Sequence, residues 1–187
     1  MIRPAFPVVI TRDDILCRVH ELARAIAADH PSAPPRFVAV MEGARVFAEH
    51  LCALVPGSPP FTEVRARSYG NGTVSNGRVR VEVPRDLRLD GAPVVLVEDI
   101  VDTGRTVEVL TAELKARGAH SVEVATLLSK PARRVVDVPL RYVGFEIPDE
   151  FVIGFGMDVA GRYRELPYVA AYRRELEPGA ADAGAVE

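Results

Sequence analysis

Short apolar runs alternate with stretches of helical period along this chain, and that alternation constrains its fold more than any other feature. Phe37–Met41 and Pro93–Val97 are continuous apolar runs of about five residues, as strands covered on both faces require. Ile15, Val19, Leu22, Ala23 and Ile26 recur at helical spacing behind a capping-box pair, Thr11 and Asp14, up to His30-Pro31. After the proline-rich connector 31–35 and the first strand, a second helix is predicted over about 44–54. A third runs over 107–117 to the glycine stop at Gly118. Thr62–Arg67, Arg78–Val83 and Val122–Leu128 read as further strands. Strands alternating with helices of ten or so residues predict βαβ units, hence an α/β fold with a mainly parallel central sheet flanked by helices.

With 187 residues the chain suits one domain that removes roughly 70% of its unfolded surface from water. No break divides it. The expected domain is 1–176, with its core at about 36–130 and short strand-like runs at 142–145 and 151–155. Residues 177–187, small and acidic, read as a disordered tail. Cys17 and Cys52 are isolated, which indicates neither a zinc site nor a disulfide framework. A net charge of −3 speaks against a nucleic-acid surface. No apolar run approaches the roughly 20 residues of a membrane span, and a cytoplasmic location is the expectation. Only Lys115 and Lys130 among the 23 basic residues are lysine, so an anionic ligand has to be met mostly by arginine or backbone.

The chemistry is concentrated in Val94–Thr106. In open parallel sheets ligands sit beyond the carboxyl ends of strands, where Glu98 and Asp99 follow the apolar run. Acids at such a position also stabilise a helix N-terminus, and Asp102 by itself is a good helix N-cap. The next residues narrow the choice. Asp102-Thr103-Gly104-Arg105-Thr106 is a run of small or polar residues whose backbone N–H groups can converge on a phosphate at the start of a helix. Glu98 and Asp99 can accept hydrogen bonds from the hydroxyls of a ribose. No GxxxxGK and no helix-opening GxGxxG is present, which excludes a P-loop and leaves a dinucleotide fold unsupported.

This segment resembles the signature of the type I phosphoribosyltransferases, and most of the chain is similar to the hypoxanthine-guanine phosphoribosyltransferases in particular. Val38–Leu51 resembles their pyrophosphate loop and following helix, Arg67-Ser68-Tyr69-Gly70 their closing loop, and Leu128-Ser129-Lys130 with Val143–Asp158 their purine site. The resemblance implies the type I fold with a small hood built from the terminal segments. It implies transfer of phosphoribosyl from 5-phosphoribosyl 1-pyrophosphate (PRPP) to hypoxanthine or guanine, giving the nucleoside monophosphate and pyrophosphate.

Carried onto this sequence, it makes Asp102 the catalytic acid–base at purine N7, and Glu98 and Asp99 the ribose ligands. Asp102, Thr103, Gly104, Arg105 and Thr106 become the 5-phosphate cradle. Lys130 becomes the donor to the 6-oxo group, Phe151 the stacking ring and Val152 the backbone reader. Asp158, with Glu98 and Asp99, becomes the Mg2+ site, and Glu42, Gly43 and Arg164 the pyrophosphate site, with Ser68 and Tyr69 in the closing loop. A homodimer or homotetramer is implied, with no nucleic-acid or membrane partner. The other function open to such a chain is a PRPP- or nucleotide-sensing regulator of the same fold with little turnover.

Glu42 departs from the pattern, because the family carries a basic residue there. Like charges 4 Å apart repel by about 4 kcal/mol at an effective dielectric of 20, so Glu42 is expected to face away from pyrophosphate. Arg45 or Arg164 would then supply the charge, and Arg134 is placed near the site. Phe151 could instead be a core aromatic and Lys130 a surface charge.

Overall fold

The computed structural model describes residues 6–69 and 78–177. Its centre is a six-stranded sheet of order β4-β3-β2-β5-β6-β7, built from β2 (Arg36–Met41), β3 (Phe61–Tyr69), β4 (Arg78–Glu82), β5 (Pro93–Val101), β6 (Ser121–Ser129) and β7 (Tyr142–Glu146). Every neighbouring pair is parallel except β3 with β4. The mainly parallel α/β architecture is therefore as the alternation requires.

Helix α1 (Arg12–Asp29) begins where the Thr11 hydroxyl oxygen accepts from the Asp14 N–H at 3.2 Å. It buries Ile15, Val19, Leu22, Ala23 and Ile26. Together with Phe47, Ala48 and Leu51 of α2 (Arg45–Leu54), that stripe covers one face of the sheet against Phe37, Ala39, Val95 and Val97. Helix α3 (Arg105–Ala116) covers the other through Val107, Leu110 and Leu114, packed with Val38, Val94 and Leu96. Successive residues of β5 thus enter opposite cores, which is why the run reads apolar throughout.

A second sheet, order β1-β9-β8, is formed by Val8–Ile10 (β1), Val152–Ile153 (β8) and Val169–Ala171 (β9). Its core is Phe6, Ile153 and Ala170. Neither β1 nor β9 is legible in the sequence, since three residues are too few to show a period.

Several boundaries differ from those expected from the sequence. The central sheet continues past residue 130 to include β7. Strand β5 does not stop at Val97; Glu98 pairs with Thr126, Ile100 with Leu128 and Val101 with Ser129 on β6. Glu98 and Asp99 therefore belong to the strand rather than the loop after it, because pairing with β6 persists beyond the apolar stretch. Glu177, expected to be the first residue of the tail, accepts from Arg162 at 2.5 Å. Residues 178–187 lie outside the described part of the chain.

Candidate active site

Strand β5 delivers its two acids to different cavities. Glu98 lines a small one of about 70 Å³ with Asp102, Thr103, Gly104 and Thr106 at the start of α3. Asp99 lines a larger one of about 300 Å³, shared with Gly43, Asp102, Lys130, Phe151, Val152, Asp158 and Arg164. Asp102 borders both. A cavity of about 360 Å³ lies elsewhere, under the 31–35 connector, but His30 is its one titratable lining residue. Convergent charge, not size, singles out the larger cavity on β5.

The small cavity is a turn into a helix. Gly104 has φ +86°, and a Cβ there would stand 2.5 Å from the Val136 carbonyl oxygen, so only glycine fits. The Thr103 carbonyl accepts from both Val135 and Val136 N–H at 3.0 Å, which ties the turn to the segment after β6. Arg134 reaches the same turn from behind, donating to Ser129 Oγ at 3.0 Å and to the Val101 carbonyl at 3.4 Å. Arg105 opens α3, its N–H 3.5 Å from Thr103 Oγ1; it is not among the residues that line the cavity.

Glu98 is 6% exposed, and its Oε2 has no hydrogen-bond partner among the described residues. Burial, reinforced by the Asp99 charge, pushes its carboxyl well above the ordinary value of 4.5. Burial also pushes Asp99 up to about 6; its backbone N–H bonds and Arg164 oppose that rise, and Asp158 adds to it. Two adjacent carboxyl groups with raised pKa, Glu98 buried and Asp99 half-buried in a cleft, mark a candidate functional site.

At the other wall, Arg164 donates to the Gly156 carbonyl at 2.5 Å and pairs with Asp158 at 2.7 Å. Asp158 Oδ2 also accepts from the Gly161 N–H at 2.6 Å. Gly43 faces Asp99 so closely that a Cβ would lie 1.9 Å from Oδ2. Lys130, just beyond β6, is 7% exposed with Nζ 3.9 Å from Asp149. It is not the surface lysine that its charge alone allowed. Phe151 is the reverse case: it is 55% exposed and so not a core aromatic.

Glu42 is absent from the lining of the larger cavity. Its carboxylate accepts from Arg65 of β3 at 3.2 Å and lies 3.8 Å from Arg45, which also pairs with Glu63 at 2.9 Å. The orientation is the one the charge argument requires. The Met41–Glu42 peptide bond is cis. Ile100 and Met157 line the cavity too and were not foreseen; apolar residues in such segments look like any core position. The side chains of Ser68 and Tyr69, and residues 70–77, lie outside the described part.

A parallel sheet with acids, a polar turn into a helix and an open cavity at one strand end is the arrangement in which α/β folds bind their ligands. The chain belongs to the phosphoribosyltransferase family: residues 11–160 match the model of the phosphoribosyl transferase domain. Within that family it stands with the hypoxanthine-guanine phosphoribosyltransferases. It is 37% identical to the one from Streptococcus thermophilus over 169 residues, 90% of this chain and 94% of that protein. The enzyme of that name from Bacillus subtilis is 35% identical, with 89% and 92% covered. The similarity extends at 39% identity to the bifunctional protein TilS/HprT of Listeria monocytogenes, of whose length the chain spans 26%. The fold superposes on a hypoxanthine phosphoribosyltransferase from Staphylococcus aureus with a TM-score of 0.84 at 33% identity, covering 91% and 93% of the two chains.

Proposed function

We propose that this protein transfers the 5-phosphoribosyl group of PRPP to hypoxanthine or guanine, giving IMP or GMP and pyrophosphate, as a step of purine salvage. The observation that carries the reading is the one cavity that Asp102, Lys130 and Phe151 line together with Asp99, Asp158 and Arg164. A purine needs a stacking ring and a donor to its oxo group, a diphosphate needs cationic and metal-holding groups, and both kinds line this one cavity.

The 5-phosphate sits on the Asp102–Thr106 turn, taken up by backbone N–H groups and the α3 N-terminus. Asp99 and Glu98, adjacent near the end of β5, are the ribose ligands in this reading. The base lies on Phe151, its 6-oxo group accepting from Lys130 Nζ and its edge against the Val152 backbone. An amino group at that position would leave two donors face to face, which excludes adenine. As the bond from the anomeric carbon to pyrophosphate breaks and the bond to purine N9 forms, the purine loses one proton. Asp102 takes it through N7. The carboxylates of β5 stabilise the positive charge that develops on the ribose ring.

Among the described residues no group of three or more His, Cys, Asp or Glu side chains converges as a metal cage. The donor set fits a magnesium ion completed by diphosphate, ribose and water oxygens, with Asp99 and Asp158 as its protein side. Bound there, the ion would neutralise the leaving pyrophosphate. Gly43 and Arg164 flank the pyrophosphate. The protein is further proposed to act in the cytoplasm as a homodimer or homotetramer, with no nucleic-acid or membrane partner. Among the described residues no helix is long and apolar enough to cross a membrane.

The test is direct: pure protein, PRPP and Mg2+ are incubated with hypoxanthine, guanine, xanthine and adenine in turn, and nucleotide formation is followed. IMP and GMP are the expected products. No product from any 6-oxopurine overturns the reading, and PRPP binding without turnover would support a sensor instead.

A further inference from the structure

The aromatic residues of the small sheet form a linked set that the transfer reaction does not itself use. Phe6 meets Tyr163 edge-on, with ring centroids 5.1 Å apart, and Tyr172 with centroids 5.6 Å apart. Burial, and then the nearby Glu177 carboxylate, push the Tyr172 hydroxyl above its ordinary pKa. Glu177 accepts from Arg162, whose guanidinium lies 5.4 Å from the Tyr163 ring centroid. The contacts thus close on themselves around Phe6, which is buried. Tyr172 is thus held at its ring by Phe6.

The outer face of that set carries Phe151. Its ring meets Tyr172 at 5.6 Å and 64°, an edge-to-face contact. The backbone repeats the link: Tyr172 N–H donates to the Phe151 carbonyl at 2.8 Å, and Arg173 donates to Glu150 at 2.8 Å. An aromatic ring more than half exposed has rotamers to lose when a ligand stacks on it. Here the ring is already braced from the side, with its remaining surface open to the cavity.

We propose that Tyr172 is a positioning residue for the acceptor base: it holds the Phe151 ring at the angle on which the purine stacks, and it does so from the chain's C-terminal strap. The assignment rests on the purine site proposed above. It makes the strap from β9 to Glu177 part of base recognition without touching the base.

The experiment is steady-state kinetics with hypoxanthine and PRPP varied separately, on the wild-type chain and on Tyr172→Ala, Tyr172→Phe, Phe151→Ala and the double alanine variant. Tyr172→Ala is expected to raise the hypoxanthine KM about fivefold, the size of a lost aromatic pair. The PRPP KM and kcat should stay within about twofold, since neither the phosphate turn nor Asp102 is touched. Tyr172→Phe retains the ring and restores the wild-type KM. In the Phe151→Ala background the second substitution adds nothing.

An unchanged hypoxanthine KM in Tyr172→Ala, additive effects in the double variant, or a parallel loss in all constants overturns the assignment. Should the alanine variant not fold, Tyr172→Leu, which fills the space without a ring, replaces it under the same criteria. Absence of transfer by the wild-type chain overturns the purine site itself and this assignment with it. Transfer by the wild-type chain with an indifferent Tyr172 overturns this assignment alone.

Discussion

Arg133 Nε donates to Asp102 Oδ1 across 3.0 Å, and the same guanidinium lies 3.5 Å from Asp149, which in turn approaches Lys130 at 3.9 Å. The carboxylate proposed to receive the purine proton and the ammonium proposed to read the 6-oxo group are thus joined by one alternating chain of charges. Asp102 keeps a second oxygen for the base. Asp102→Asn is expected to lower kcat about 100-fold, as removal of a general acid–base does, with a much smaller change in PRPP KM. Kinetics that showed only a raised KM would assign Asp102 to binding. Arg133 and Asp102 are both substantially exposed, so Arg133→Ala should leave the midpoint of a denaturant titration nearly unchanged.

Glu98 links function to pH-dependent stability. Its folded pKa lies above the ordinary value of 4.5. Below that ordinary value the group is protonated in folded and unfolded chains alike and costs little. As pH rises above 4.5 the unfolded chain releases the proton first, so the folded state binds more protons and loses stability until its own raised pKa is passed. Asp99, raised to about 6, acts in the same direction between about pH 4 and pH 6. Glu98→Gln removes the Glu98 part. In ligand-free thermal melts the variant should gain on the wild type more at pH 8 than at pH 5, by about 1–3 kcal/mol at the higher pH. The substitution should also impair transfer. A variant less stable than wild type at pH 8 would contradict this account.

Gly43 tests how closely the loop after β2, proposed to bind pyrophosphate, approaches β5. A methyl group there falls 1.9 Å from Asp99 Oδ2, so the carboxylate or the loop must move. Overpacking of this kind costs about 1–3 kcal/mol. Gly43→Ala is therefore expected to raise the PRPP KM at least tenfold while the hypoxanthine KM changes less, because Asp99 and not Lys130 is displaced. Equal effects on both substrates would count against it.

Glu42 offers a gain rather than a loss. It points to Arg65 and Arg45 in an exposed ion-pair group, whose loss costs at most about 1 kcal/mol. Glu42→Lys should lower the PRPP KM by placing a cation beside the pyrophosphate loop, with a small fall in melting temperature. An unchanged or higher PRPP KM would reject this.

The central α/β sheet was legible because its signal is local. Helical spacing from Ile15 to Ile26 and the apolar runs at Phe37–Met41 and Pro93–Val97 follow directly from which faces must be buried. The turn Asp102–Thr106 was legible for a related reason: a glycine flanked by small polar residues at a helix start has few other uses. The acids 98 and 99 were placed beyond the strand because polarity usually marks a strand's end. Only pairing with β6 shows that the strand runs on to Val101.

The sequence by itself therefore determined the covered parallel sheet and the small polar turn that opens α3, since both depend on neighbours in the chain. Tertiary structure alone decided that Glu98 and Asp99 serve different cavities, that Lys130 is buried and Phe151 open, and that Tyr172 braces Phe151 from 21 residues away. Those outcomes depend on which surfaces distant segments cover. Burial, the resulting shifts in carboxylate pKa and ring-to-ring contact exist only once the segments have packed.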